Sequence, residues 1–84
     1  MTYSELYAFR IRQLCKTHKI TINKLATLAG LKQSTIDNII RGTSKNPKVR
    51  TLHKIASVFG MTLSELLDFP ELNNYSIDDE IEDE

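Results

Sequence analysis

The 84-residue chain has no tryptophan, one cysteine, two prolines, three glycines and no long apolar run. Each scarcity removes a class of protein. A lone Cys15 cannot close an intramolecular disulfide or supply a multi-cysteine metal site, and its helical spacing from Ile11 marks it as a small buried hydrophobe. No stretch approaches the roughly 18 apolar residues of a membrane-spanning helix, and no charged-then-apolar secretory segment opens the chain. The expectation is a cytoplasmic protein with no membrane partner. There is no glycine-rich phosphate loop, no nucleophile triad can be assembled, and His18 and His53 fall on different expected helices without a ligand pattern around them. No enzyme, no metal and no cofactor are therefore expected. The length suits one small domain around one core, without a separate effector domain.

Net charge is also absent, but only on average. Residues 1–67 hold all eleven basic side chains against three acids, Glu5, Asp37 and Glu65, for a formal +8. Residues 68–84 hold eight acids and no Lys or Arg, for a formal −8. A basic body is the electrostatic footprint of a polyanion binder, which the near-neutral whole-chain value conceals.

What is present is helical periodicity. From Ser4 to His18, Tyr7, Ile11, Leu14 and Cys15 recur at helical spacing. Thr21 is an N-cap candidate for a second helix reaching about Ala29, and a third runs from about Gln33 to Arg41 before Gly42. Thr43 to Pro47 reads as a loop. A fourth helix, about Val49 to Phe59, places Leu52, Ile55, Ala56 and Phe59 inward and stops at Gly60. Thr62-Leu-Ser-Glu65 is a capping box that opens a short fifth helix. After Pro70 the chain turns polar and acidic around Ile77 and Ile81, and reads as a flexible solvated tail.

The most constrained segment is I-N-K-L-A-T-L-A-G-L-K-Q-S-T-I-D-N-I-I-R at residues 22–41. Leu25, Leu28 and Ala29 are expected to face inward from one helix, and Ile36, Ile39 and Ile40 from the next. Ala26 is small where the two would meet, and Gly30 suits the left-handed backbone of the turn. This spacing is that of a helix-turn-helix.

The chain resembles the lambda-repressor/Cro-like (xenobiotic-response-element type) helix-turn-helix family over residues 6–67. The match includes R-I-R-Q-L at 10–14, I-T-I-N-K-L-A at 20–26, Gly30, N-P at 46 and 47, and L-H-K-I-A-S-V-F-G-M-T-L-S-E-L-L at 52–67. The resemblance implies an all-α, compact five-helix DNA-binding domain at 1–69, with the acidic tail at 70–84. It further implies a bacterial or phage transcriptional regulator, acting as a repressor, that binds double-stranded DNA as a homodimer on a two-fold symmetric operator.

Three departures from the family pattern are informative. Many relatives carry Arg at the position of Cys15 and an acid at that of Ile40, a largely buried ion pair; here both are apolar, a compensated exchange. Lys32 stands at the expected N-cap of the third helix where Ser or Thr is frequent, which reads either as a DNA contact or as a tolerated surface substitution. Ile22 replaces a frequent Gln that supports the recognition helix or reaches phosphate, so that role is not carried over.

In such a motif the second helix lies in the major groove with its N-terminal residues on base edges. Gln33, Ser34, Asn38 and Lys32 are the base-reading candidates; the Gln33 amide could pair with adenine in bidentate fashion. Thr35 could meet a phosphate or a thymine methyl. Phosphate contacts are expected from Arg41, Lys45, Lys48 and Arg50, with Lys24 on the second helix. Asp37 reads as a surface or helix-stabilising residue, or as a cytosine reader. Met61, Leu66, Phe69, Leu72 and Tyr75 are candidates for a dimer surface, or equally for packing within one chain. The tail reads as inert, as a cover for the basic face, or as a docking segment for a protein partner. A protein-interaction module, antitoxin-like or antirepressor-like, is the alternative function; exposed aromatics on the third helix would favour it, and none is seen.

Overall fold

The computed structural model describes residues 2–79. Six α-helices follow one another: α1 (Tyr3–His18), α2 (Ile22–Ala29), α3 (Gln33–Ile40), α4 (Val49–Val58), α5 (Leu63–Leu67) and α6 (Pro70–Asn73), with a 3₁₀ turn at Ile77–Asp79. There is no strand among the described residues. The all-helical expectation holds, with one helix more than expected.

Local chemistry sets the element ends. Thr2 and Glu5 form a reciprocal capping box on α1, with the Thr2 N–H 2.9 Å from Glu5 Oε1. Thr21 Oγ1 accepts from the Lys24 N–H at 3.0 Å and opens α2. Thr62 and Glu65 form the expected box on α5. The carboxyls of Glu5 and Glu65 are held below the ordinary carboxylate range by these backbone hydrogen bonds. The left-handed turn at Gly30 (φ 68°) ends α2 as expected. Lys19 adopts the same conformation (φ 56°) after α1, the one non-glycine residue to do so among those described.

The core gathers Ile11, Leu14 and Cys15 of α1, Leu25 and Ala26 of α2, Ile36 and Ile39 of α3, Leu52, Ile55 and Ala56 of α4, and Leu66 of α5. Cys15 is buried, as its spacing suggested, and desolvation raises its thiol pKa. α1 packs on α3, and α2 on α3 and α4. His18 is structural: its Nδ1 lies 3.0 Å from the Leu14 carbonyl oxygen and its ring 4.8 Å from that of Phe59.

Four expectations need correction. Leu28 does not face inward but is 53% exposed; the buried stripe of α2 runs through Leu25 and Ala26, with Ile22 packed beside it. Ala29 is only half-buried, whereas Ile40, also half-buried, packs against the core as expected. Leu66 and Phe69 are each 2% exposed within the single chain and offer no surface to a second copy; Met61, Leu72 and Tyr75 are half-buried. Regular structure also continues past the expected boundary at residue 69. Pro70 opens α6 at its first position, Asp68 Oδ1 accepts from Asn73 Nδ2 at 2.8 Å, and Tyr75 meets Tyr3 edge-on at 5.7 Å. Ile77 is exposed, and Ile81 lies outside the described residues.

One basic residue is committed to the fold. Arg10 donates through Nε to the Leu66 carbonyl and through a terminal nitrogen to the Glu65 carbonyl, each at 2.9 Å, and its guanidinium lies 5.2 Å from the centre of the Phe69 ring. A five-residue helix leaves its last carbonyls short of partners; Arg10 satisfies that of Leu66 and adds a second donor to that of Glu65, which already accepts from the Asp68 N–H.

Candidate nucleic-acid interface

α2, its turn and α3 place one short helix with one face sealed and the other open. Ile36 and Ile39 are buried, which fixes the rotation of α3 about its axis. Lys32, Gln33, Ser34 and Asn38 are then exposed, and Thr35 and Asp37 are half-buried at the edges. Ser34 and Asn38, four residues apart, share a face.

Three helices begin without a side-chain cap, and in two of them, α3 and α4, the N-cap is a lysine. Lys32 is the N-cap of α3 and Lys48 that of α4, with identical backbone angles (φ −64°, ψ 143°) and no capping hydrogen bond from either side chain. The first-turn N–H groups of α3 and α4 therefore lack a side-chain acceptor, and each sits beside an exposed cation. Such ends favour an anionic oxygen. Arg41, Lys45 and Arg50 are exposed on the connection between α3 and α4 and at the start of α4, and Lys24 is exposed in the first turn of α2.

Gln33 is the best-anchored polar side chain of α3. Its Nε2 donates to Asn23 Oδ1 at 2.8 Å and to Asp37 Oδ1 at 3.2 Å. Sequence reasoning passed over Asn23. The available signal was the apolar Ile22: with Gln missing there, the next polar residue in the first turn of α2 was the one to examine. Asp37, read as a surface residue, turns out to touch Gln33 directly.

Asn38 holds the loop that follows. Its carbonyl oxygen accepts from the Thr43 and Ser44 N–H groups at 3.0 Å each and from Thr43 Oγ1 at 3.1 Å, and its side-chain Oδ1 lies 3.4 Å from the same hydroxyl. Asn38 thus shapes the basic loop at Thr43 to Lys48 as well as standing on the open face of α3.

A compact helical body presenting an exposed polar helix after a glycine turn, beside a basic loop, is that of a helix-turn-helix DNA-binding domain. Residues 10–71 match the Cro/C1-type helix-turn-helix DNA-binding domain model, and the chain belongs to that family. It is 33% identical over 58 residues to the uncharacterised HTH-type transcriptional regulator RghRB of Bacillus subtilis (strain 168), covering 69% of this chain and 42% of that protein. It is 32% identical over 59 residues to the HTH-type transcriptional regulator SinR of the same organism, covering 70% of this chain and 53% of SinR. The chain thus spans about half the length of these relatives. Among solved structures, prophage Lp1 protein 11 superimposes with a TM-score of 0.79 at 35% identity, over 89% of this chain and 99% of that one. The N-terminal DNA-binding domain of SinR gives 0.70 at 29% identity, over 77% and 94% respectively.

Proposed function

We propose that this domain binds double-stranded DNA sequence-specifically and acts as a transcriptional repressor on a two-fold symmetric operator, as a homodimer. α3 enters the major groove. Lys32, Gln33, Ser34 and Asn38 face base edges, while Thr35, Arg41, Lys45, Lys48, Arg50 and Lys24 meet phosphates. The observation that carries this reading is the division of α3, sealed at Ile36 and Ile39 and open at Lys32, Gln33, Ser34 and Asn38. At eight residues α3 is roughly 12 Å long, enough for a few base pairs only, which is why two copies are invoked.

Fluorescence anisotropy on DNA from upstream of the protein's own gene, against random duplex over a salt series, tests the proposal. Binding about a thousandfold tighter than to random DNA is expected. Equal binding to both, or none, would favour the protein-interaction reading, which the exposed Leu28 (53%) and Val49 (65%) support in part.

A further inference from the structure

The hydrogen bonds around Gln33 do more than anchor it, because they determine which end of its amide is presented. An ionised carboxylate can only accept, so the Asp37 contact at 3.2 Å requires the Gln33 amide nitrogen, not its oxygen, on that side. The same nitrogen reaches Asn23 Oδ1 at 2.8 Å, and an amide NH₂ has two hydrogens. Both are committed. The Asn23 amide is oriented in turn, with its oxygen toward Gln33. What remains of the exposed Gln33 amide is Oε1, an acceptor with no partner among the described residues.

We infer that Asp37 and Asn23 are positioning residues that lock Gln33 as an acceptor, so that this domain selects a base whose exocyclic amine lies in the major groove at the base pair Gln33 meets. Adenine N6 and cytosine N4 offer that donor in the major groove; guanine O6 and thymine O4 are acceptors and are refused. This revises the bidentate pairing expected for Gln33. Donation to adenine N7 would require breaking one of the two bonds that hold the nitrogen. The inference rests on α3 being the groove-reading helix.

The carboxylate itself also repels phosphate, but that repulsion is the same for every sequence. Removing it raises affinity uniformly, whereas unlocking the amide changes base preference. The two effects separate in one experiment. Randomised duplex is selected with the wild-type domain, the enriched site is varied one base pair at a time, and wild type, Gln33→Ala, Asp37→Ala and Asn23→Asp are compared by anisotropy, with thermal melts to verify folding.

Gln33→Ala identifies the base pair concerned. There the wild type is expected to prefer A or C over G or T on the contacted strand by about tenfold or more, the scale of one well-made polar contact. Asp37→Ala is expected to bind all sequences more tightly while that preference falls below about threefold. Asn23→Asp keeps an acceptor and is expected to retain the preference. An unchanged preference in Asp37→Ala, or a wild-type preference for G or T at that pair, overturns the inference while leaving sequence-specific binding intact. No enriched site at all overturns the function proposed above, and the base selection falls with it. The side-chain amide protons of Gln33 give a readout that needs no DNA. They should stand away from free-amide shifts in the wild type and move toward them in Asp37→Ala; free-amide shifts in the wild type would remove the lock.

Discussion

Arg10 shows how a charge read from sequence as part of a polyanion-binding surface can belong to the fold instead. Its two hydrogen bonds to the end of α5 reach residues 55 and 56 positions away, and its guanidinium lies over the ring of Phe69. Arg10→Ala is expected to lower stability by about 1.5 to 3 kcal/mol, since it strips a charged donor from two carbonyls and a cation from a ring. That corresponds to roughly 6 to 24 °C in a melt of a domain this size. Arg10→Lys should recover only part of it, because an ammonium has no planar fork to span adjacent carbonyls. A variant as stable as wild type would mean that these contacts do not help hold the fold. The sequence could not make this distinction, because Arg10 and Arg12 look alike in a charge count, and only the packing of α5 against α1 separates them.

At the level of elements, the helices and most of their ends were legible because Thr21, Gly30, Gly42, Gly60 and the Thr62 box act over three or four residues. Leu28 misled for a definable reason. The inward face of α2 follows Ile22, Leu25 and Ala26 at spacings of three and four, and Leu28, though as apolar as they are, lies to the side of that stripe. α6 was illegible because four residues show no periodicity, and its anchors, Phe69 and Tyr75, bind to partners at the far end of the chain. The site divides in the same way. The exposure of Gln33, Ser34 and Asn38 followed from the pattern, but the Asn23 and Asp37 contacts depend on how α2 and α3 cross. Lys32 offers the test that belongs to this scale. Its side chain leaves α3 uncapped. Lys32→Ser should add about 1 kcal/mol of stability through a restored N-cap, visible as a rise of about 4 to 8 °C in the melt. The same change should weaken binding to operator DNA. A more stable protein with unaltered DNA affinity would make Lys32 a surface residue only.

For the whole molecule, the opposite charges of the two chain segments set the expected response to salt. Six cations, Lys24, Lys32, Arg41, Lys45, Lys48 and Arg50, are exposed on α2, α3, their loop and the start of α4. If all six meet phosphate, log affinity should fall with log salt at a slope of about −5 for one copy and about −10 for two on one operator. Titrations between low and moderate salt measure this directly, and a slope near −1 would mean that the basic body binds something other than a phosphate backbone. The body itself is small, with a radius of gyration of 12.5 Å and a longest extent of 35 Å. Leu66 and Phe69 are already sealed inside it, so the homodimer proposed above cannot be built on these two side chains.

The contact between Tyr3 and Tyr75 turns nearly the entire polypeptide into a ring. Closing a loop from residue 3 to residue 75 costs about 4 kcal/mol of chain entropy, and an edge-to-face ring pair contributes about 1. The pair could not form in an otherwise open chain; it exists because the helices between have already brought the two tyrosines together. A change at either tyrosine should therefore alter how α6 lies against α1 rather than whether the packed interior forms.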